Sequence, residues 1–137
     1  MIPLSVEELQ EYVNQIPINQ HFNVQVMEIG EGYAKTMTPF NPTLTNRWHN
    51  THGGTFMTIS DITFFLALSS LNGLDTSGNT STVEIKTNFL SPNKDSELYA
   101  EARIIKNGRR NIFGDVSIKN SAGKVVAHST VTYFKNR

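Results

Sequence analysis

No cysteine occurs in the 137 residues, which excludes a disulfide framework and any cysteine-ligated zinc or iron–sulfur centre. No lysine or arginine precedes Lys35, whereas Glu7, Glu8 and Glu11 fall within the first twenty residues. The basic n-region of a secretory signal peptide is therefore missing. No apolar run approaches the roughly 20 residues needed to cross a bilayer. An excess of either charge is absent too, since 12 Lys+Arg face 12 Asp+Glu. A hydrophobic fraction of 38% and a mean hydropathy of −0.30 are low but ordinary for a folded domain, and they argue against wholesale disorder. The expectation is one cytoplasmic, soluble domain spanning 1–137, with no membrane segment.

The zero net charge hides a gradient. Residues 1–34 carry five acids and no Lys or Arg, while residues 103–137 carry eight Lys and Arg against Asp115 alone. A basic end on a neutral protein can face phosphates, although most such positions are simply solvated strand faces.

Along the chain, Ser5-Val6-Glu7-Glu8 has the pattern of a capping box, and Leu9, Tyr12, Val13 and Ile16 follow at helical spacing until Pro17. This predicts a short helix over 5–16. Residues 24–29 and 33–38 flank Gly30-Glu31-Gly32, the pattern of a β-hairpin. Residues 41–51 are polar and read as a loop. From Thr55 to Leu71 the chain is apolar on nearly every side, with Asp61 its one charge, which predicts a buried helix. Gly73 and the turn-forming residues after it end that helix. Four alternating segments follow, at 80–90, 98–106, 111–119 and 125–134. The short turns between them predict antiparallel neighbours in chain order. An α-β-β-α-β-β-β-β order with one helix too apolar for a surface implies an α+β fold, an antiparallel sheet of about six strands curled around that helix.

His52-Gly53-Gly54, followed by Asp61, is the most informative stretch. Two glycines at a helix start allow close approach to backbone N–H groups that have no helical partner and sit at the positive end of the helix dipole. Such groups suit a carbonyl oxygen becoming an oxyanion. Asp61, set among Ile59, Ile62, Phe64 and Phe65, is expected to be a desolvated acid suited to general-base work. Together they fit attack of water on an acyl carbonyl. A Gly-Gly pair also serves as a plain tight turn, and a buried Asp can merely bond a neighbouring strand.

Residues 46–61, NRWHNTHGGTFMTISD, resemble the signature of the hotdog-fold thioesterases of the phenylacetate-pathway (PaaI-like) type, the family that includes acyl-CoA thioesterase superfamily member 2. The pattern is Asn46, five residues, His52-Gly53-Gly54, and Asp61 nine residues after the histidine. The similarity continues through residues 82–92, 107–110 and 122–127. The resemblance implies a hotdog fold that hydrolyses a small aromatic or short-to-medium-chain acyl-CoA. The Gly53 N–H and the Asn46 side chain would polarise the thioester carbonyl. Asp61 would serve as general base or as nucleophile, and Thr82 would hold the water beside it, with His52 completing the catalytic motif. Gly54, Arg109 and Arg110 are the candidate substrate-binding residues, the arginines through coenzyme A phosphates. Trp48, large for its loop position, bears on access to the site. The resemblance further implies a homodimer in which Asn46 and Asp61 of one site come from different subunits, paired in some members into a tetramer. Coenzyme A enters as part of substrate and product, and no cofactor is expected.

Other readings of these residues are weaker. His49-x-x-His52 lacks the further ligands of a metal site, so no metal is expected. The helix serines lack a G-x-S-x-G elbow, and a neutral charge with no binding motif argues against nucleic acid. Two alternative functions remain: a non-catalytic acyl-CoA-binding or regulatory hotdog protein, and a hotdog dehydratase or hydratase acting on acyl thioesters.

Overall fold

The computed structural model describes residues 3–136. Helix α1 (Val6–Asn14) starts where the capping box places it. Ser5 Oγ accepts from the Glu8 N–H at 3.1 Å, and a Glu8 carboxylate oxygen accepts from the Ser5 N–H at 3.3 Å. Its buried face is Leu9 and Val13. A short helix α2 (Asn19–Phe22) follows, closed by Asn23 in the left-handed conformation at φ 56°, ψ 46°. Four residues are too few to show a helical period, so the sequence pattern does not reveal it. Strands β1 (Gln25–Gly30) and β2 (Tyr33–Thr38) form the expected hairpin. Within the 41–51 loop, Pro42–Leu44 make one 3₁₀ turn capped by Asn41.

Helix α3 (Gly53–Gly78) is two residues longer at its start than expected and seven longer at its end. Gly73 does break it, at φ 80°, ψ 163°, but the chain resumes helical geometry beyond that residue. Only glycine adopts this backbone conformation without strain. The expectation that no segment could span a bilayer also needs correcting. α3 is long and apolar enough to cross one, with a mean hydropathy of 1.3 over 18 residues. Its interspersed Ser, Thr and Asp61 interrupt every apolar run without making the helix polar. Here α3 is the core helix, touching all six strands.

The remaining strands are β3 (Thr80–Phe89), β4 (Leu98–Asn107), β5 (Asn111–Lys119) and β6 (Val125–Lys135). Every pairing is antiparallel, and the sheet order is β1-β2-β4-β5-β6-β3. Chain order therefore misplaces one strand: β3 pairs with β6 at the sheet edge, not with β4. The 90–97 connection is long enough to cross over, and α3 delivers the chain from β2 to the far edge. Buried hydroxyl pairs tie the helix to the sheet, with Thr36 to Thr63 at 2.8 Å and Ser60 to Ser129 at 3.0 Å.

The two edges differ. At β1, the Gln10 side chain of α1 accepts from the Val26 N–H at 2.6 Å and donates to the Val24 carbonyl at 3.2 Å. These bonds occupy backbone groups that an edge strand would otherwise expose. At β3 nothing comparable occurs among the described residues, and Val83, Phe89 and Leu90 are all more than half exposed.

Gly114 on β5 makes room for the fully buried Phe64. A Cβ at that position would press on the Arg103 carbonyl oxygen and lie 2.7 Å from the Phe64 ring. Gly114→Ala is expected to destabilise the fold by about 1–3 kcal/mol, as overpacked cores do. Urea unfolding checks it: a lower midpoint with an unchanged m-value is expected.

Candidate active site

Asp61 sits on α3, where β3 and β6 converge. One carboxylate oxygen, Oδ1, accepts from Thr82 Oγ1 at 3.0 Å and from the Tyr133 hydroxyl at 2.6 Å. The same tyrosine hydroxyl lies 3.0 Å from the Asp61 carbonyl oxygen. Among the described residues Oδ2 has no partner. Asp61 is half-buried rather than fully desolvated, because its carboxylate borders a cavity of about 580 Å³. That corrects the buried-acid expectation: the residue's backbone is in the core helix, while its carboxyl group is presented to open space. Tyr12, Ile16, Ile62, Phe65 and Ile85 give the cavity apolar walls.

Tyr133 is the residue that sequence reasoning missed. It lies 72 positions from Asp61, in a strand whose alternation marks it only as inward-facing. It is 3% exposed and packs edge-on to Phe64 with ring centroids 4.8 Å apart. Burial first, and then the Asp61 charge, push its hydroxyl far above the usual tyrosine range. The hydroxyl therefore stays protonated and serves as a fixed donor.

The other half of the motif lies elsewhere in the protomer. Asn46 and Gly53 border a second cavity of about 360 Å³ with Phe56, Phe89 and Pro92. Asn46 Oδ1 accepts from the Trp48 and Asn50 N–H groups at 3.0 and 3.2 Å. This fixes the amide orientation and leaves its NH₂ as the available donor. His52 caps α3: its Nδ1 accepts from the Gly54 N–H at 3.0 Å. The Gly54 N–H is thereby engaged within the chain, while the Gly53 N–H has no partner among the described residues. The ring of Phe89 lies over Gly53, where an added Cβ would meet it at 3.3 Å.

The remaining candidates are spread over the surface. Arg109 and Arg110 are exposed in the β4–β5 turn, the Arg110 guanidinium 5.1 Å from the Phe134 ring centre, and neither borders the two cavities. Trp48 is exposed on its loop beside Arg47. Among the described residues no group of three or more His, Asp or Glu side chains is placed to hold a metal ion.

A six-stranded antiparallel sheet wrapped around one long helix is the hotdog architecture. The chain belongs to the Thioesterase superfamily, whose family profile matches residues 49–134, and it is a thioester hydrolase. It is 28% identical over 130 residues to a Saccharolobus solfataricus protein that bears a provisional esterase name, covering 95% of this chain and 85% of that one. In fold it resembles zebra fish thioesterase superfamily member 2, with a TM-score of 0.86 and 20% identity over 97% of this chain and 99% of that one. It also resembles the phenylacetic acid degradation protein PaaI of Thermus thermophilus, with a TM-score of 0.77 and 21% identity over 87% and 98% of the two chains.

Proposed function

We propose that the protein is a cytoplasmic acyl-CoA thioesterase, a single hotdog domain over 1–137 that releases a small aromatic or short-to-medium-chain acid and coenzyme A. The observation that carries this reading is the asymmetry of the Asp61 carboxylate. Two hydroxyls hold Oδ1, so Oδ2 is left facing the cavity as the reactive oxygen. Oδ2 takes a proton from water as the water oxygen bonds to the thioester carbon. The carbonyl oxygen, now an oxyanion, is held by the Gly53 N–H and the Asn46 amide. The C–S bond then breaks, and the thiolate leaves with the proton that Asp61 had taken, giving free acid and coenzyme A.

In one protomer these groups border separate cavities, so the reading requires two copies, with Asn46 and Gly53 of one facing Asp61 and Thr82 of the other. The open β3 edge, with Val83, Phe89 and Leu90 exposed, supports that pairing, and a dimer of dimers is compatible with it. Coenzyme A is part of the substrate, and no cofactor is required. Arg109 and Arg110 are the proposed phosphate contacts, since guanidinium forks suit phosphate oxygens.

Thiol release from a panel of acyl-CoA esters, aromatic and aliphatic, tests the reading. Turnover of at least one ester is expected, and failure to hydrolyse any would overturn it. Tyr133→Phe is expected to lower kcat by about tenfold, the equivalent of one charge-assisted hydrogen bond, with little change in KM. The ring contact with Phe64 is retained in that variant. An unchanged kcat would show that Tyr133 does not position the acid.

A further inference from the structure

Asn93 lies in the 90–97 connection, a run of turn-forming residues in sequence. It is nevertheless buried, at 2% exposure, between the exposed Pro92 and Lys94. The connection is itself firmly held. The Leu90 and Ser91 N–H groups donate to the Val126 carbonyl at 2.9 and 3.2 Å, and the Ser121 N–H donates to Ser96 Oγ at 3.0 Å. From this platform the Asn93 amide donates to Thr51 Oγ1 at 3.0 Å and to the Ser96 carbonyl at 2.9 Å. Its main-chain carbonyl accepts from the Thr51 N–H at 2.8 Å. An amide is costly to bury unless its N–H groups are paired, and both of these are.

On the other side of these bonds stands the hairpin that carries Asn46. Thr45 and Thr51 form an isolated antiparallel bridge. Two rungs flank it: the His52 N–H donates to the Leu44 carbonyl at 2.9 Å, and the Asn46 N–H to the Asn50 carbonyl at 2.8 Å. Beyond them, Asn46 Oδ1 holds the Trp48 and Asn50 N–H groups of the tip. The hairpin is therefore one unit, and Asn46 goes where its base goes. Among the described residues, every hydrogen bond that residues 45–51 make outside the 41–52 segment runs to Asn93. Thr51 precedes Gly53 by two residues, so the same contact sits beside the start of α3.

We propose that Asn93 is a positioning residue, which fixes this hairpin so that the Asn46 amide and the Gly53 N–H reach one carbonyl oxygen together. Asn93 borders neither of the two cavities and acts through Thr51. This inference rests on the thioesterase reading and adds to it the residue that sets one half of the site. A catalytic group misplaced by about 1 Å can cost ~10²-fold in rate although the group itself is unchanged.

The test is a double-mutant comparison in the full-length protein, read as kcat for thiol release from an acyl-CoA ester that the parent hydrolyses. Asn93→Ala is expected to lower kcat about tenfold while changing KM by no more than about twofold. In an Asn46→Ala background the same substitution should lower kcat by no more than about twofold, because no amide is left to place. A merely structural loss would reduce active protein equally in both backgrounds, and near-UV circular dichroism measures the folded fraction of each. Thr51→Val keeps the side chain's shape, loses only the hydroxyl and is expected to cost about fivefold. Thr51→Ser keeps the hydroxyl and should retain parental turnover. If Asn93→Ala fails to fold, Thr51→Val carries the same comparison in both backgrounds. An unchanged kcat, or one lowered equally in the two backgrounds, would overturn the positioning role alone. Turnover of no ester by the parent would overturn the thioesterase reading, and the positioning role with it.

Discussion

Replacing Asp61 by alanine is expected to lower kcat for acyl-CoA hydrolysis by at least ~10²-fold, the contribution typical of a positioned general base. The variant should remain folded. The Asp61 side chain is half-buried against a cavity, and the Tyr133 hydroxyl keeps the residue-61 backbone carbonyl as an acceptor at 3.0 Å. Asp61→Asn is the sharper comparison, because it preserves shape and the contacts with Thr82 and Tyr133 while removing the basic oxygen. Both variants should fall together in steady-state thiol release, with midpoints of urea unfolding close to the parent. Near-normal turnover in either would overturn the assignment. Single turnover in ¹⁸O-labelled water separates the two roles open to the carboxylate. Label found in Asp61 itself indicates an anhydride opened at the aspartyl carbon, and label in the released acid alone, with no acylated Asp61 trapped by rapid quench and mass spectrometry, indicates direct attack by water.

The second large effect is a gain. Asn46→Ala is expected to cost less than Asp61→Ala, since in the proposed site the Gly53 N–H would still be available to the carbonyl oxygen. When the two variants are mixed and allowed to exchange subunits, activity should rise well above that of either alone. A two-fold dimer has two equivalent sites, and the mixed dimer keeps one in which Asn46 and Asp61 are both intact. Random exchange puts about half of the subunits in mixed dimers, giving roughly a quarter of parental activity. No rise, in a mixture shown by native mass spectrometry to contain mixed dimers, would place Asn46 and Asp61 in the same subunit's site. The separation of the two half-motifs into cavities of about 580 and 360 Å³ motivates the experiment.

Local chemistry made much of this fold readable. The Ser5–Glu8 capping box and the Gly30–Gly32 turn each depend on residues a few positions apart, and each appears in the structure where its pattern places it, while the glycine pair expected before α3 forms its first two residues. Strand β3 was misplaced because its neighbour depends on how far α3 carries the chain across the sheet, which no turn signal encodes. Beyond Gly73, a glycine that breaks helical geometry for one residue looks in sequence like one that ends the helix. At the site, Asp61 stood out as a charge in an apolar helix, and its contact with Thr82 was expected only through the family resemblance. Tyr133 gave no such signal, because an alternating strand shows which side chains face inward and not which of them meets the acid.

The Gln10 side chain has a consequence beyond helix packing. A sheet with two free margins can add copies from both sides and grow into a fibre. Here the margin at β1 is stoppered by a glutamine amide that gives and takes one backbone bond each, which leaves β3 as the margin available for joining. In the proposed pairing the stoppered sides of the two copies would turn outward, so the sheet would not extend further through its margins. Gln10→Ala would leave the Val26 N–H and the Val24 carbonyl without these bonds at the β1 margin.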